Sequence, residues 1–310
     1  MINPKGLPRS MEVRMIKSLN NLFSSKVRNV RRDCGALSII SSVIPESIDP
    51  CVMIFCSDHG IAIEDVTTLS KDFASRTYTE FSRGIGLPFE LGRCFDIKVM
   101  AIDSSLGTPT KHIAYTNAMT TREYLRCLRI GWEAAVSSQC NLIGIGEIGA
   151  GGTTSATALA SILLDIDPEK LLGYGSGINE RQMKKKDMLI RLAIARSSHA
   201  KDVVTLLTQI GGKEMVSMVG AILGAFSRGK IVVLDGFITC VAALIAEKLC
   251  PGVSSYLLCY TRTNEPGQLI IASQIGLNPF IYTGHTCGMG FGCFFSIQFC
   301  RGAACLSQSC

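Results

Sequence analysis

A chain of 310 residues with 47% apolar and 18% charged side chains has enough hydrophobic material for one large core or two modest ones, which excludes a disordered polymer. Its net charge of +6 is mild. The basic residues gather in 5–32 and 184–186 without an interleaved aromatic array, which argues against nucleic acid and suits phosphorylated small molecules.

The first thirty residues read as a basic helical segment. They are charged and lack a long apolar stretch, so no secretory signal is expected. The 14 cysteines are scattered, with no C-x-x-C and no zinc spacing among Cys300, Cys305 and Cys310. They read as reduced thiols of a cytoplasmic protein. Buried strands are expected at 51–56, 97–102, 141–145, 230–234 and 255–259, where short apolar runs stand. Helical patterns occupy 70–82, 120–137, 154–164, 184–196, 213–225 and 239–248. The longest apolar runs, 215–226 and 231–246, are too short or carry Asp235, so no membrane span is expected.

Alternating strands and helices make an α/β fold with a mostly parallel sheet and helices on both faces. All strand ends then share one edge. Ser57-Asp58-His59 follows the first strand, Asp103 the second, Gly146-Glu147 the third and Asp235-Gly236 a later one. Ligands of such sheets bind outside the carboxyl ends of strands, so these residues converge on one crevice. The domain reading is a large domain over 36–284. A small region is formed by 1–35 with the less regular 285–310.

The most informative stretch is 141–159, NLIGIGEIGAGGTTSATAL. A strand, a glycine cluster and a helix start with Thr153 and Thr154 make an anion site, because backbone N–H groups and the helix terminus meet a phosphate. Glu147 does not favour a phosphate beside it and points to another part of a ligand. Gly144, Gly146 and Gly149 also fit G-x-G-x-x-G. That dinucleotide reading wants a ribose-binding acid about 20 residues on. Asp165 and Asp167 fall there, but they precede Pro168 at a helix end. A tight turn without a ligand is the remaining reading.

Six motifs in order resemble the nicotinate-nucleotide–dimethylbenzimidazole phosphoribosyltransferase family of cobamide lower-ligand assembly. SDHGIA at 57–62 resembles its D-H-G segment, and NAMTTRE at 117–123 its A-M-T-x-x-E/Q run. GEIGAGGTTSATAL at 146–159 is similar to G-E-M-G-I-G-N-T-T-x-A. GYGSGI at 173–178, LDGFITCVAAL at 234–244 and NEPGQ at 264–268 complete the series. The resemblance implies a Rossmann-like sheet with a small helical domain, in a dimer. It implies transfer of phosphoribosyl from nicotinate mononucleotide to an aromatic base, benzimidazole or phenolic, without metal or other cofactor. It assigns Glu147 to the acceptor ring and Gly149, Gly151, Gly152, Thr153 and Thr154 to the phosphate. Gly175, Ser176 and Gly177 match a second nucleotide-binding turn, Lys186 a lysine near the phosphate, and Thr263 a family serine. Asp58 and Asp235 join the list of substrate-binding candidates, although each also suits a helix cap or a strand-end turn.

The departure lies near the end. The family's R-L-G-E-G-T-G-A carries its catalytic glutamate, and here the run is TCGMGFGC at 286–293. Thr286 replaces the Arg, Met289 the Glu and Phe291 the Thr, while Thr261 and Gln268 replace family histidines. A thioether accepts no proton, and Phe291 is expected to intrude on the acceptor slot. Glu147 and His285 are the substitute bases at hand. An active enzyme is thus one reading. A silent subunit paired with a homologue and a nucleotide-binding module without turnover are the others, with a homodimer or a heteromer as the assembly.

Overall fold

The computed structural model describes residues 47–308 apart from 201 and 286. The expected basic amino-terminal helix and Thr286 lie outside these residues. Five parallel strands form the sheet: β1 (Pro50–Cys56), β2 (Lys98–Asp103), β3 (Leu142–Ile148), β4 (Ile231–Leu234) and β5 (Leu257–Leu258), in the order β2-β1-β3-β4-β5. A second, two-stranded parallel pair joins β6 (Thr261–Arg262) to β7 (Ile281–Tyr282).

Central β1 explains why the run at 50–56 is apolar at every position. Cys51, Met53 and Phe55 enter one hydrophobic core, and Val52, Ile54 and Cys56 enter the other. Alternating side chains on a strand covered on both faces leave no solvent side. The larger core packs beneath α3 (Thr121–Ser137), α4 (Gly152–Leu164), α5 (Glu180–Ser197), α6 (Val203–Ile210), α7 (Lys213–Ser227), α8 (Phe237–Leu249) and α9 (Gly267–Gln274). The smaller core lies under α1 (Phe73–Phe81), α2 (Leu87–Phe95) and α10 (Phe291–Gln308).

Local signals set several helix starts. Thr120 Oγ1 accepts from Glu123 N at 3.2 Å while Glu123 Oε2 accepts from Thr120 N at 2.8 Å, and Asn179 and Gln182 repeat this reciprocal cap at α5. Helices α2, α6 and α9 add to the expected set. They are short, and α9 starts right after Pro266 in a stretch without strong periodicity.

Three boundaries differ from expectation. β3 continues through Glu147 to Ile148, paired with β1 as Ile54↔Gly146 and Phe55↔Glu147. The glycine at 146 is therefore a strand residue, and a Cβ there would overlap the backbone of Gly290. β5 keeps only two residues because a 3₁₀ turn, Val253–Tyr256, precedes it. The carboxyl-terminal stretch is more regular than its glycines and cysteines suggested. Cys293, Phe294, Ile297 and Cys300 recur at helical spacing and are wholly buried against the sheet. Of the expected terminal region, 1–35 lie outside the described residues, and α10 covers the second sheet face.

Among the described residues, no helix is long and apolar enough to cross a membrane.

Candidate active site

The order 2-1-3-4-5 reverses direction between β1 and β3, and ligands of doubly wound sheets sit at such a switch point beyond the carboxyl edge. Asp58, Glu147 and Asp235 all stand at that edge, after β1, within β3 and after β4 respectively. An open cleft of about 830 Å³ lies there. The amino termini of two helices border it, α4 through Gly151 and Thr153, and α8 through Gly236–Thr239. Aligned helix dipoles and unpaired N–H groups give that wall a positive potential.

At the α4 side, Gly151 caps the helix with φ 93, a left-handed backbone that favours glycine. Gly152 N donates to Gly149 O and Thr154 N to Gly151 O, each at 3.0 Å, which folds the loop onto the helix start. Thr153 faces the cleft, whereas Thr154 is wholly buried behind it. Lys186 reaches this wall from α5. Its Nζ donates to Thr153 Oγ1 and to Gly173 O, both at 2.9 Å, and the side chain is fully buried. Burial pulls its pKa down to about 8, against the opposing charge of Glu265.

Glu265 also lines the cleft, accepting from Gly175 N at 3.0 Å. Burial raises its pKa, and the neighbouring Lys186 and the Gly175 N–H only partly offset this. Ser176 binds the 67–68 segment: its Oγ lies 2.9 Å from Thr67 Oγ1 and accepts from Thr68 N at 2.9 Å. Gly175 and Ser176 thus line the cleft, while Gly177 only closes the turn through its N–H to Tyr174 O. Thr263 lines the cleft from the other side, where its Oγ1 and N–H both donate to Gln268 Oε1, at 2.8 and 2.7 Å. Gln268 Nε2 donates on to Thr261 O at 2.9 Å, so the two residues that replace family histidines hold each other.

The same cleft also has acidic and apolar lining. Glu147, Asp235, Met289, Cys287, His285 and Phe73 all border it. Burial first, then the carboxylates of Glu214 and Asp235, raise the Glu147 pKa well above the ordinary 4.5. The charged form of this carboxyl is therefore disfavoured, and it holds its proton to a higher pH than an exposed glutamate. The folded chain keeps that proton where the unfolded chain has lost it. Glu147 therefore costs stability progressively as the pH rises above 4.5. Glu147→Gln keeps the shape and removes the titration. Its melting-temperature advantage over the native chain is expected to grow as the pH rises above about 5 and to vanish near pH 4. A pH-independent difference would contradict this assignment.

Asp235 is almost fully buried and binds the 290–292 backbone. Its Oδ2 accepts from Gly290 N at 2.9 Å and its Oδ1 from Gly292 N at 2.6 Å, so it holds the start of α10. His285 Nε2 stands 3.4 Å from the same Oδ1, and Nδ1 lies 2.5 Å from Thr283 Oγ1. Met289 adopts φ 60 between two glycines that are also left-handed, and its N–H donates to Glu147 O at 3.2 Å. Such a backbone costs a non-glycine residue about 1 kcal/mol, and strain of this kind gathers at clefts. Phe291 does not enter the slot as expected. Its ring packs on His285 and Phe295, with centroids at 4.9 and 5.1 Å, because the first turn of α10 carries it away from the cleft. Asp58 turns away as well, and its carboxylate accepts from Ser75 of α1. Asp103 caps a turn instead, accepting from Leu106 N at 2.7 Å.

Sequence reading did not single out Glu214. It is wholly buried under the glycine loop and paired with His59. The one available signal was a charged pair, Lys213-Glu214, opening an otherwise apolar helix. Among the described residues, no group of three or more His, Cys, Asp or Glu is arranged to hold a metal ion.

The cleft has relatives. The chain is similar to the nicotinate-nucleotide–dimethylbenzimidazole phosphoribosyltransferase of Shewanella piezotolerans, 33% identical over 271 residues, 80% of this chain and 78% of that protein. It is 28% identical to the enzyme of the same name from Shewanella sediminis, over 91% of each chain. Among solved structures it superposes on CobT from Thermus thermophilus with a TM-score of 0.82 and 26% identity, covering 94% of this chain and 95% of that one. A family model described as phosphoribosyltransferase matches residues 34–310, so the glycine loop, the lysine behind it and the fold that joins them place this chain in the phosphoribosyltransferase family.

Proposed function

We propose that this protein moves the phosphoribosyl group of nicotinate mononucleotide onto an aromatic base and releases nicotinate, in cobamide lower-ligand activation. The carrying observation is the lining of the cleft. It brings the amino terminus of α4, with Lys186 on Thr153, together with Glu147, Asp235 and Met289. The phosphate belongs at the α4 terminus, held by 149–154, Lys186 and the Gly175–Ser176 turn. The ribosyl carbon then lies toward Asp235, whose carboxylate favours the positive character it gains during transfer. The acceptor ring occupies the slot beside Met289 and Glu147. The reaction needs positioning above all, which a preformed cleft supplies.

The proton acceptor is the missing part. Met289 accepts none, burial disfavours the charged form of Glu147 that a base requires, and His285 points Nε2 at Asp235. A homologous partner subunit in the cytoplasm that brings a carboxylate is our reading of how turnover is completed. The test is nicotinate release from nicotinate mononucleotide with benzimidazole or phenol acceptors, with and without an active homologue. Release only with the homologue is the expected result. Robust release by this chain alone would overturn the pairing, and no release in either case would overturn the transferase reading.

Met289→Glu probes the same point. A well-placed base contributes ~10²–10⁴-fold, and the substitution is expected to give less. The new carboxylate would share the cleft with Glu147 and Asp235, which raise its pKa. A rescue as large as the full general-base effect, measured as nicotinate release, would show that the missing carboxylate is the only defect.

A further inference from the structure

We propose that His59 and Glu214 are positioning residues that hold the glycine loop at 149–152 in its phosphate-receiving shape. This rests on the phosphoribosyl reading of that loop. Ser57 and His59 leave the end of β1, and Glu214 is the second residue of α7. All three are shut off from solvent. The Ser57 hydroxyl donates to Glu214 Oε2, and Glu214 N returns a bond to Ser57 Oγ at 3.3 Å. His59 Nε2 stands 3.1 Å from the same Oε2.

The loop rests directly on this pair. A Cβ at Gly149 would lie 2.8 Å from His59 Nε2, so the imidazole and not the backbone angle demands glycine there. A Cβ at Gly152 would meet His59 Nε2 and Glu214 Oε1, each at 3.6 Å. Glu214 Oε1 itself is buried without a hydrogen-bond partner and faces the first residue of α4. Its charge thus sits by the amino termini of α4 and α7, where helix dipoles favour it. No step of the proposed transfer uses either residue.

The charges fit this arrangement. Burial disfavours the imidazolium, but Glu214 and then Asp58 outweigh it and hold His59 above its ordinary pKa. Burial likewise works against the Glu214 carboxylate, but the His59 charge and the bonds from His59 and Ser57 hold it below its ordinary value. Glu147 on β3, Cys56 at the end of β1 and Cys127 on α3 are the other titratable groups that face Glu214. With His59 charged, the loop lies over a neutral pair. Without that proton it would lie over a bare carboxylate, which repels a phosphate. Removing one partner leaves a buried charge uncompensated, whereas removing both does not.

The experiment compares the native chain with Glu214→Gln, His59→Gln and the double variant. Two quantities are read: affinity for nicotinate mononucleotide by calorimetry, and amide exchange of residues 149–154 in the ligand-free chain. Each single variant is expected to weaken binding at least tenfold and to speed loop exchange at least tenfold, with β1 and β3 amides unchanged. The double variant is expected to lose less than the product of the two single losses, because the residues act as one unit. Native affinity and native loop exchange in both single variants would overturn the proposal, as would equal acceleration across the whole sheet. If the single variants do not fold, the double variant carries both measurements. If the native chain does not bind nicotinate mononucleotide, the phosphoribosyl reading fails, while exchange in the ligand-free chain still decides whether this pair positions the loop.

Discussion

Asp235→Ala is expected to abolish the phosphoribosyl transfer that this chain supports together with its homologue and to destabilise the chain by about 3–6 kcal/mol, since a buried hydrogen bond to a charged group contributes about 1.5–3 kcal/mol and two are lost. The carboxylate accepts from Gly290 N and Gly292 N and faces His285 Nε2, so one side chain after β4 ties down the run that closes the cleft. Without it, two backbone donors at the start of α10 lose their partner in the protein interior. Met289, whose N–H bonds the Glu147 carbonyl, would lose its place beside β3. Asp235→Asn keeps one acceptor oxygen and should fall between the two. Thermal unfolding and a transfer assay check this. A folded Asp235→Ala with native melting temperature would show that the run is held by other contacts.

Gly131→Ala is the second large effect, and it concerns the fold. Helices α3 and α7 approach so closely that a Cβ at Gly131 would overlap the carbonyl oxygen of Ser217, and one at Gly220 the carbonyl of Leu128. Backbone meets backbone at both points, so no rotamer change relieves the clash. Overpacking a core costs about 1–3 kcal/mol and sometimes more. We expect at least the upper end here, because α7 would have to shift and it carries Glu214 beneath the phosphate loop. The control is Gly302→Ala in α10, where a Cβ meets nothing within 4 Å. That change is expected to be neutral or to stabilise by up to about 1 kcal/mol through helix propensity. Denaturant unfolding of the two variants separates them. Equal stabilities would show that the α3–α7 contact adapts freely.

Comparing sequence with structure sorts the molecule by the range of its interactions. The parallel sheet was legible because β1 is apolar on both faces and β3 and β4 repeat the pattern over a few residues each. The strand, glycine loop and helix at 142–164 were legible because glycines, hydroxyls and an Ala-rich run are neighbours in the chain. The helix start at Thr120 stands where it was expected, whereas α5 begins at Glu180, four residues before the expected 184. Such features depend on contacts a few residues long, and composition and spacing report them directly.

Only the tertiary structure decided the rest. Ser57 and Glu214 meet across 157 positions, and Asp235 and Gly290 across 55, so neither pairing leaves a local pattern. The glycine at 146 answers the backbone of Gly290, a cause that no window around β3 contains. Phe291 looked like an obstruction because sequence gives its neighbours in the motif. The first turn of α10 instead aims it at His285 and Phe295. Glu147 was legible as a carboxyl group in a glycine stretch. Its raised pKa follows from burial and from Glu214 and Asp235, which the fold brings from α7 and from the end of β4. Residue types and short-range order are properties of the chain, whereas the electrostatics of a cleft is a sum over groups that become neighbours only when the sheet has formed.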